Sequence, residues 1–536
     1  MSLGPTVPQH EQLRSKSIDA IRNTNEWDMV VIGGGITGAG VVREAARQGL
    51  SVLLLEQKDF SWGTSSRSSK MVHGGLRYLA AGNIKLTSHS VKERERLMNE
   101  APGLVEVLPF SWPHYKGQFP GPFTFNGLLA LYDGFAGQKY RQFLKKDEAQ
   151  YQLPSINTEG LIGATRFADA VTDDCRLVLR VLQESERDGA VLLNYATATD
   201  VIKTDNHIGS LKVKVEGCSD EITVRSKVIV SATGAWADKF REDLGGEGKI
   251  RPLRGSHLVL PNWRLPISQS ITMKHPIDGR SMFIYPWEGM TVIGTTDLDN
   301  PRLNGVEPVI HPDEVDYLIE AANYLFPNSK VSKDDVVSTF AGVRPIVSSG
   351  GLNPSAEKRD HSVWDDHGLI TVSGGKLTTF RLIALDVLKA ANRYLPSLNW
   401  KDSNQNIFRK TDVIPEKLKA LDPEIQLRLT GFYGTKIDEL CDCVGDDGWV
   451  LVPGTKTYWA QVRYAARYEQ VQHLDDILLR RTRIGLFCHG GGDIVKADIK
   501  RVCMEEMKWD ESHWSQEWTR YQTIWNESYS LPALNS

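Results

Sequence analysis

Residues 28–56 read DMVVIGGGITGAGVVREAARQGLSVLLLE. Asp28 to Ile32 is a short, mostly apolar run that predicts a buried strand. It leads directly into Gly33-Gly34-Gly35-Ile36-Thr37-Gly38, and a helical pattern follows from Ala39 to about Gln48. Gly49 stops the helix, and a second apolar run from Ser51 ends at Glu56. Glycines at 33, 35 and 38 fit a turn that holds a pyrophosphate. Gly33 permits the tight bend, Gly35 lets the backbone approach the phosphates, and Gly38 lets helix and strand pack closely. The free N–H groups at the helix start then face the anion. Glu56 stands eighteen residues after Gly38, where a carboxylate accepts hydrogen bonds from a ribose. A Glu rather than an Arg there argues against a 2′-phosphate. The unit predicts a dinucleotide site on an α/β fold.

The next segment indicates which dinucleotide. Residues 60–70 read FSWGTSSRSSK, followed by Met71-Val72-His73-Gly74-Gly75-Leu76-Arg77-Tyr78. A nicotinamide enzyme normally continues with a further βαβ unit at this point. A run of small hydroxyl residues with Arg and Lys, including Thr64, Ser65, Ser68 and Lys70, suits contact with a pyrophosphate. Gly74 and Gly75 would let the backbone lie against a flat ring. This pattern favours a flavin over a nicotinamide.

Composition narrows the class. The chain has 536 residues, with 63 Lys plus Arg against 67 Asp plus Glu, a formal charge of −4. That balance argues against a general nucleic-acid binder. A hydrophobic fraction of 41% excludes wholesale disorder. No run of 18 apolar residues suggests a membrane-spanning helix. Met1 to Glu26 lacks the apolar core of a secretory signal, and its acids disfavour a mitochondrial transit peptide. This stretch reads as a flexible N-terminal segment. The six cysteines, Cys175, Cys218, Cys441, Cys443, Cys488 and Cys503, form no CxxC pair and read as reduced thiols in a cytoplasmic setting. No metal site is expected.

Further motifs recur in a set order: ATGAW (232–236), GSHLVL (255–260), IGTTD (293–297), AGVRP (341–345) and SGGKLTT (373–379). Together with GGGITGAG and TSSRSSKMVHGGLRYL (64–79), they make residues 27 to 525 resemble the FAD-dependent glycerol-3-phosphate dehydrogenases. The resemblance implies a Rossmann-like, glutathione-reductase-type FAD-binding domain. An antiparallel-sheet substrate domain is interleaved with it over residues 27–390, and an α-helical C-terminal domain spans 391–536. It implies FAD contacts from Gly33, Gly35, Ile36, Thr37, Gly38, Glu56, Thr64, Ser65, Ser68, Lys70, His73, Gly74, Gly75 and Leu76. Later in the chain it adds Gly234, Trp236, Gly342, Gly375, Lys376, Leu377 and Thr378.

Oxidising a secondary alcohol requires a hydride acceptor, a base for the hydroxyl proton and a donor for the developing oxygen charge. A phosphorylated substrate also requires cations. The resemblance implies a substrate site of Arg77, Tyr78, Arg344, Arg359 and Lys376. His257 is then the base, and Arg344 steadies the carbon-two oxygen. The implied reaction converts sn-glycerol 3-phosphate to dihydroxyacetone phosphate. Arg344 and Lys376 are only 32 residues apart, without the long insertion of the related oxidases. That spacing favours quinone over oxygen as acceptor, and the resemblance implies a peripheral place on the inner face of the cytoplasmic membrane. No EF-hand pattern occurs, which favours a bacterial type, and a homodimer is an expected assembly. The alternatives are an oxygen-using glycerol-3-phosphate oxidase, an amine or amino-acid oxidase on the same fold, and a non-enzymatic flavin-binding protein.

Outside the motifs, residues 85–100 predict an amphipathic helix. Pro109 to Pro122 predicts an irregular loop because of its prolines. Arg480, Arg481 and Arg483 read as ion-pair or helix-end residues.

Overall fold

A computed structural model describes residues 7–80, 82–204, 207–300, 307–347, 360–395, 405–411, 413–446 and 448–533. The chain opens with helix α1 (Gln9–Asn23). Strand β1 (Trp27–Ile32), helix α2 (Ile36–Arg47) and strand β2 (Val52–Leu55) then form the predicted unit. β1 and β2 pair in parallel, with Met29 beside Val52 and Ile32 beside Leu55. Both strands are buried along almost their whole length, as apolar runs covered on two faces must be.

The first sheet runs in the order 361–366, 369–374, 221–231, β1, β2, 191–193. Its members come from the first, middle and last parts of this region, so the nucleotide-type sheet is discontinuous in sequence. The 221–231 strand also extends into a hairpin-like layer with strands 196–204 and 207–215. The second sheet has the order 298–299, 250–261, 290–294, 281–287, 270–274, 105–115, 161–172, 71–72. It is antiparallel except where 270–274 runs parallel to 105–115. Strand 338–347 pairs along the whole of 250–259, which brings Gly342 opposite Gly255 and Phe340 opposite His257.

Two segments differ from the sequence reading. The expected flexible segment contains α1. It is anchored because Ile21 is buried beside Trp27 and Arg14 Nη1 donates to the Asn194 carbonyl at 2.9 Å. Tertiary contacts hold a helix that its polar sequence does not announce. The expected loop at Pro109 is instead the strand Val105–Tyr115, with helix Pro122–Ala136 following. Pro109 and Pro113 are four residues apart, so both missing donors point to one edge. The neighbouring strand 270–274 pairs with this strand only at Phe110 and Ser111.

Beyond residue 391 the regular elements described are helices, linked by turns and two isolated bridges, but they do not keep a separate core. Ile407, Phe408, Leu429, Tyr433 and Leu440 join the same apolar cluster as Val31, Val42, Leu54 and Val230. A buried charge network makes a second junction. Arg480 and Arg481 both donate to Asp59, at 2.5 and 2.6 Å to its Oδ2. Arg483 reaches Asp173 and Asp174, and Lys70 also pairs with Asp174 at 2.9 Å. The expectation of ion pairs for these arginines agrees with this geometry, and Asp59, Asp173 and Asp174 lie in the preceding 27–390 region. Burial alone would push Asp59 up, yet Arg481 and Arg480 hold its carboxyl below the usual range.

Candidate functional site

Four stretches of chain converge at the C-terminal ends of β1 and the 369–374 strand. The first is the glycine turn. Gly33 has φ +111°, and a Cβ there would lie 2.5 Å from the Ala232 carbonyl oxygen. A Cβ on Gly38 would overlap the Gly33 carbonyl oxygen, so α2 can start this close to β1 only with glycine at 38. Gly35 and Thr37 are half-buried at the helix start, and Ile36 N–H donates to Ser65 Oγ at 2.9 Å. Glu56 stands at the end of β2, with Oε2 accepting from Gly34 N–H at 2.7 Å.

The second stretch is 61–70. Thr64 Oγ1 donates to the Val343 carbonyl, which ties this loop to the strand carrying Arg344. The Trp62 and Trp236 rings lie 5.9 Å apart, and Ser373 Oγ donates to the Gly234 carbonyl at 2.9 Å. Half-buried Gly234 and Trp236 therefore adjoin the same loop and the end of the 369–374 strand.

The third and fourth stretches are HGGLRY and GGKLTT. His73 N–H donates to Thr378 Oγ1 at 3.1 Å, and Thr378 Oγ1 contacts the His73 carbonyl at 3.2 Å. Lys376 Nζ donates to Ser90 Oγ at 2.9 Å and to the Gly74 carbonyl at 3.2 Å. It sits 4.3 Å from the centroid of the Tyr78 ring. A Cβ on Gly75 would overlap the Tyr78 ring and approach Lys376 Nζ to 3.4 Å. Leu76, Gly375 and Leu377 are half-buried beside them.

The second sheet supplies the remaining groups. Arg344 Nη1 donates to Asp297 Oδ1 at 2.9 Å, and its Nη2 donates to Thr295 Oγ1 at 3.0 Å. A Cβ on Gly255 would overlap this guanidinium, so the glycine of GSH leaves room for Arg344. His257 is 1% exposed, and its ring stacks on Phe340 at 4.4 Å. Burial, Arg344 and Lys70 hold its imidazole well below the usual range, which keeps it neutral at pH 7.

Several sequence expectations are corrected by these contacts. Lys70 is fully buried, and its Nζ donates to Asp174 and to the Ser66 carbonyl at 2.6 Å, so it has no face for a cofactor. Burial lowers it to about 8 despite Asp174. The Ser68 hydroxyl donates to Asp174 at 2.7 Å rather than pointing to a ligand. Gly342 is buried, and a Cβ there would overlap the Arg67 backbone, so it packs the strand onto the loop. The side chain of Arg77, in helix Leu76–Ala80, and all of Arg359 lie outside the described residues.

Three useful residues went unassigned in the sequence. Thr295 and Asp297, which hold Arg344, were present in the IGTTD motif but carried no assigned role. Tyr132 accepts the Gly74 N–H at 2.8 Å and donates to Asp169 at 2.5 Å. Nothing in its local sequence signals that task, since it is 58 residues from its partner.

A largely parallel sheet, a glycine turn at a helix start and a terminal acid define a dinucleotide-type α/β fold, joined to a second, largely antiparallel sheet. Residues 28–381 match the model of the FAD dependent oxidoreductases, and residues 388–514 match the C-terminal domain of alpha-glycerophosphate oxidase. The chain belongs to the FAD-dependent oxidoreductase family. It is 33% identical over 487 residues to the aerobic glycerol-3-phosphate dehydrogenase of Staphylococcus haemolyticus, covering 85% of this chain and 86% of that one. The protein of the same name from Staphylococcus aureus is 32% identical, over 86% and 87%. Among solved structures, the glycerol-3-phosphate dehydrogenase of Bacillus halodurans complexed with FAD superposes with TM-score 0.78 and 26% identity. That comparison covers 98% of this chain and 99% of that one. The L-alpha-glycerophosphate oxidase of Mycoplasma pneumoniae shares the fold at TM-score 0.55 and 19% identity, over 73% and 100%.

The residues fit FAD. Gly33 and Gly38 let α2 start directly against the end of β1, and the half-buried Gly35 and Thr37 at that helix start suit a pyrophosphate.

Proposed function

We propose that this chain oxidises sn-glycerol 3-phosphate to dihydroxyacetone phosphate and passes the electrons to a quinone from the surface of a membrane. The observation that carries the substrate is the similarity to aerobic glycerol-3-phosphate dehydrogenases, which runs through both the catalytic segment and the C-terminal domain. The site is consistent with it. Lys376 with Tyr78, and Arg344 with Thr295, offer fixed donors to an anionic, hydroxylated substrate.

In this reading the α2 start and Ser65 hold the pyrophosphate of FAD, and Glu56 holds a ribose. Gly74, Gly75, Gly375 and Thr378 form the wall against its ring system. FAD supplies the hydride acceptor. Lys376 anchors the phosphate of the substrate, together with Arg77. Arg344, its guanidinium oriented by Asp297, donates to the carbon-two oxygen as that oxygen becomes a carbonyl. His257, neutral in its buried setting, takes the hydroxyl proton.

The membrane part of the reading is supported by one surface. Among the described residues no helix is long and apolar enough to cross a membrane. Helix Pro122–Ala136, however, turns Phe123 outward at 94% exposure, with Leu131 and the preceding Phe119 also exposed. Gly127, Ala130 and Gly134 are exposed on the same helix, and exposed Lys116 and Lys139 lie before and after it. An uncharged apolar face with flanking lysines suits the interface of an anionic bilayer.

The assay is turnover with sn-glycerol 3-phosphate and a soluble quinone. Dihydroxyacetone phosphate should form with quinone and much more slowly with oxygen alone. Absence of that product refutes the substrate, and equal rates with oxygen refute the acceptor.

A further inference from the structure

The imidazole of His257 is closed on both faces. Phe340 stacks on one at an interplanar angle of 12°. The backbone of Gly294 lies against the other, where a Cβ would overlap the ring. Nδ1 is buried with no hydrogen-bond partner among the described residues. The remaining polar edge, Nε2, meets Ser69 Oγ at 2.9 Å, and Ser69 is half-buried while His257 is not exposed. A substrate hydroxyl approaching this base meets the serine first.

Ser69 is also unusually well placed for its size. Both neighbours are tied down by buried partners. Ser68 N–H and Oγ donate to Asp174 at 2.9 and 2.7 Å, and Lys70 Nζ donates to the same carboxylate. One residue earlier, Arg67 donates to Tyr529 at 3.0 Å and pairs with Glu307. In this pinned run, Ser69 is the residue whose side chain turns to His257.

We propose that Ser69 is a catalytic proton relay between the substrate and His257. The inference rests on His257 being the base in the reading above. In the resting protein the Ser69 hydroxyl donates to Nε2, which leaves the ring proton on Nδ1. As carbon two gives up its hydride to the acceptor already named and the carbonyl forms, the substrate O–H proton passes to Ser69 Oγ. Ser69 passes its own proton to Nε2 in the same event. Ser69 ends as a neutral hydroxyl and His257 as imidazolium. The charged groups acting on that ring are Arg344, paired with Asp297, and Lys70, paired with Asp174.

The test uses the full FAD-loaded chain. The rate of anaerobic flavin bleaching by glycerol 3-phosphate is measured in H2O–D2O mixtures, for the wild type and for Ser69→Ala, Ser69→Thr and His257→Gln. Two protons in flight give a bowed dependence of rate on deuterium fraction in the wild type. Ser69→Ala should lose about 100-fold or more in bleaching rate, the scale of general acid–base catalysis. Its FAD content should be unchanged, substrate affinity should stay within threefold, and the deuterium dependence should become linear. Ser69→Thr should restore most of the rate. Independently of turnover, the His257 Nε2 resonance in 15N-histidine spectra should move in Ser69→Ala. A linear dependence in the wild type overturns the relay, whether or not any variant folds. So does Ser69→Ala bleaching within threefold of wild type while His257→Gln is inactive. Full activity in His257→Gln instead removes the base assignment itself.

Discussion

The sharpest structural prediction concerns Asp59, three residues beyond Glu56. Its Oδ2 accepts from Arg480 Nε and Arg481 Nη1, and its Oδ1 accepts from Arg481 Nη2 at 2.7 Å and from Asn194 at 3.0 Å. All these groups are buried. Asp59→Asn keeps the shape and removes the charge. Arg480 keeps Asp475 and Asp476, but among the described carboxylates Arg481 keeps Glu469 at 3.8 Å, beside a hydrogen bond to the Glu469 carbonyl at 3.0 Å. Removing one partner of a buried pair costs about 3–5 kcal/mol, because the other charge stays desolvated. At roughly 1.4 kcal/mol per tenfold, that is about two to three and a half orders of magnitude in the folding equilibrium. The damage should reach the cofactor, since Asp59 opens the 59–62 turn, where Trp62 N–H donates to the Asp59 carbonyl and Ser61 N–H to Gly34. The assay is urea unfolding of the holoenzyme followed by both flavin fluorescence and far-UV circular dichroism, with the Asp59→Asn/Arg481→Gln double variant. The single variants should each fall by several kcal/mol, the double by clearly less than their sum, and flavin should leave early in each single variant. A loss below about 1 kcal/mol with full flavin retention would refute this account of the domain junction.

Three further outcomes are expected. Gly38→Ala places a methyl on the Gly33 carbonyl oxygen, and overpacking of this kind costs about 1–3 kcal/mol, read as roughly 5- to 150-fold weaker FAD binding by titration of the apoprotein. His473 bonds Glu517 and Glu216 at 3.0 Å each, and although burial lowers its pKa, the Glu517 hydrogen bond leads the effects that raise it to about 8. A raised folded value means the stabilisation is complete below the unfolded value of about 6.5 and fades as pH rises through 8; with the ring mostly buried it amounts to about 2 kcal/mol, and His473→Gln should flatten the stability–pH curve in that window. Phe123→Glu should release the protein from anionic vesicles in a sedimentation assay without changing turnover of soluble quinone, whereas undiminished sedimentation would remove helix Pro122–Ala136 as the contact face.

The local parts of this architecture were readable from sequence, and the long-range parts were not. The β1–α2–β2 unit is encoded almost wholly within 29 consecutive residues, with its own steric reasons at Gly33 and Gly38, so the strand–helix–strand reading holds. Contacts between distant stretches leave no such imprint. Lys376 meets Ser90 across 286 residues, and His257 meets Ser69 across 188. Lys70 departs from its sequence pattern for the same reason. In sequence it resembles its neighbours in a phosphate-contacting run, but its left-handed backbone, φ 59°, accompanies a side chain turned inward to Asp174, 104 residues away. The prolines at 109 and 113 suggested a loop because strand edges that tolerate missing donors are a property of the sheet, not of the strand. Helix α1 is not legible in its own sequence because Arg14 is anchored at Asn194 and Ile21 packs in a cluster that includes Leu193 and Val224.

The central claim is that a phosphorylated secondary alcohol is oxidised at this FAD site, and anaerobic mixing of the yellow holoenzyme with sn-glycerol 3-phosphate tests it most directly. The flavin band should bleach in a single turnover and yield one dihydroxyacetone phosphate per FAD, and Arg344→Lys should slow bleaching sharply, because a point charge cannot replace the forked donor held by Asp297. A band that persists with glycerol 3-phosphate but bleaches with an amino acid or amine would contradict the account.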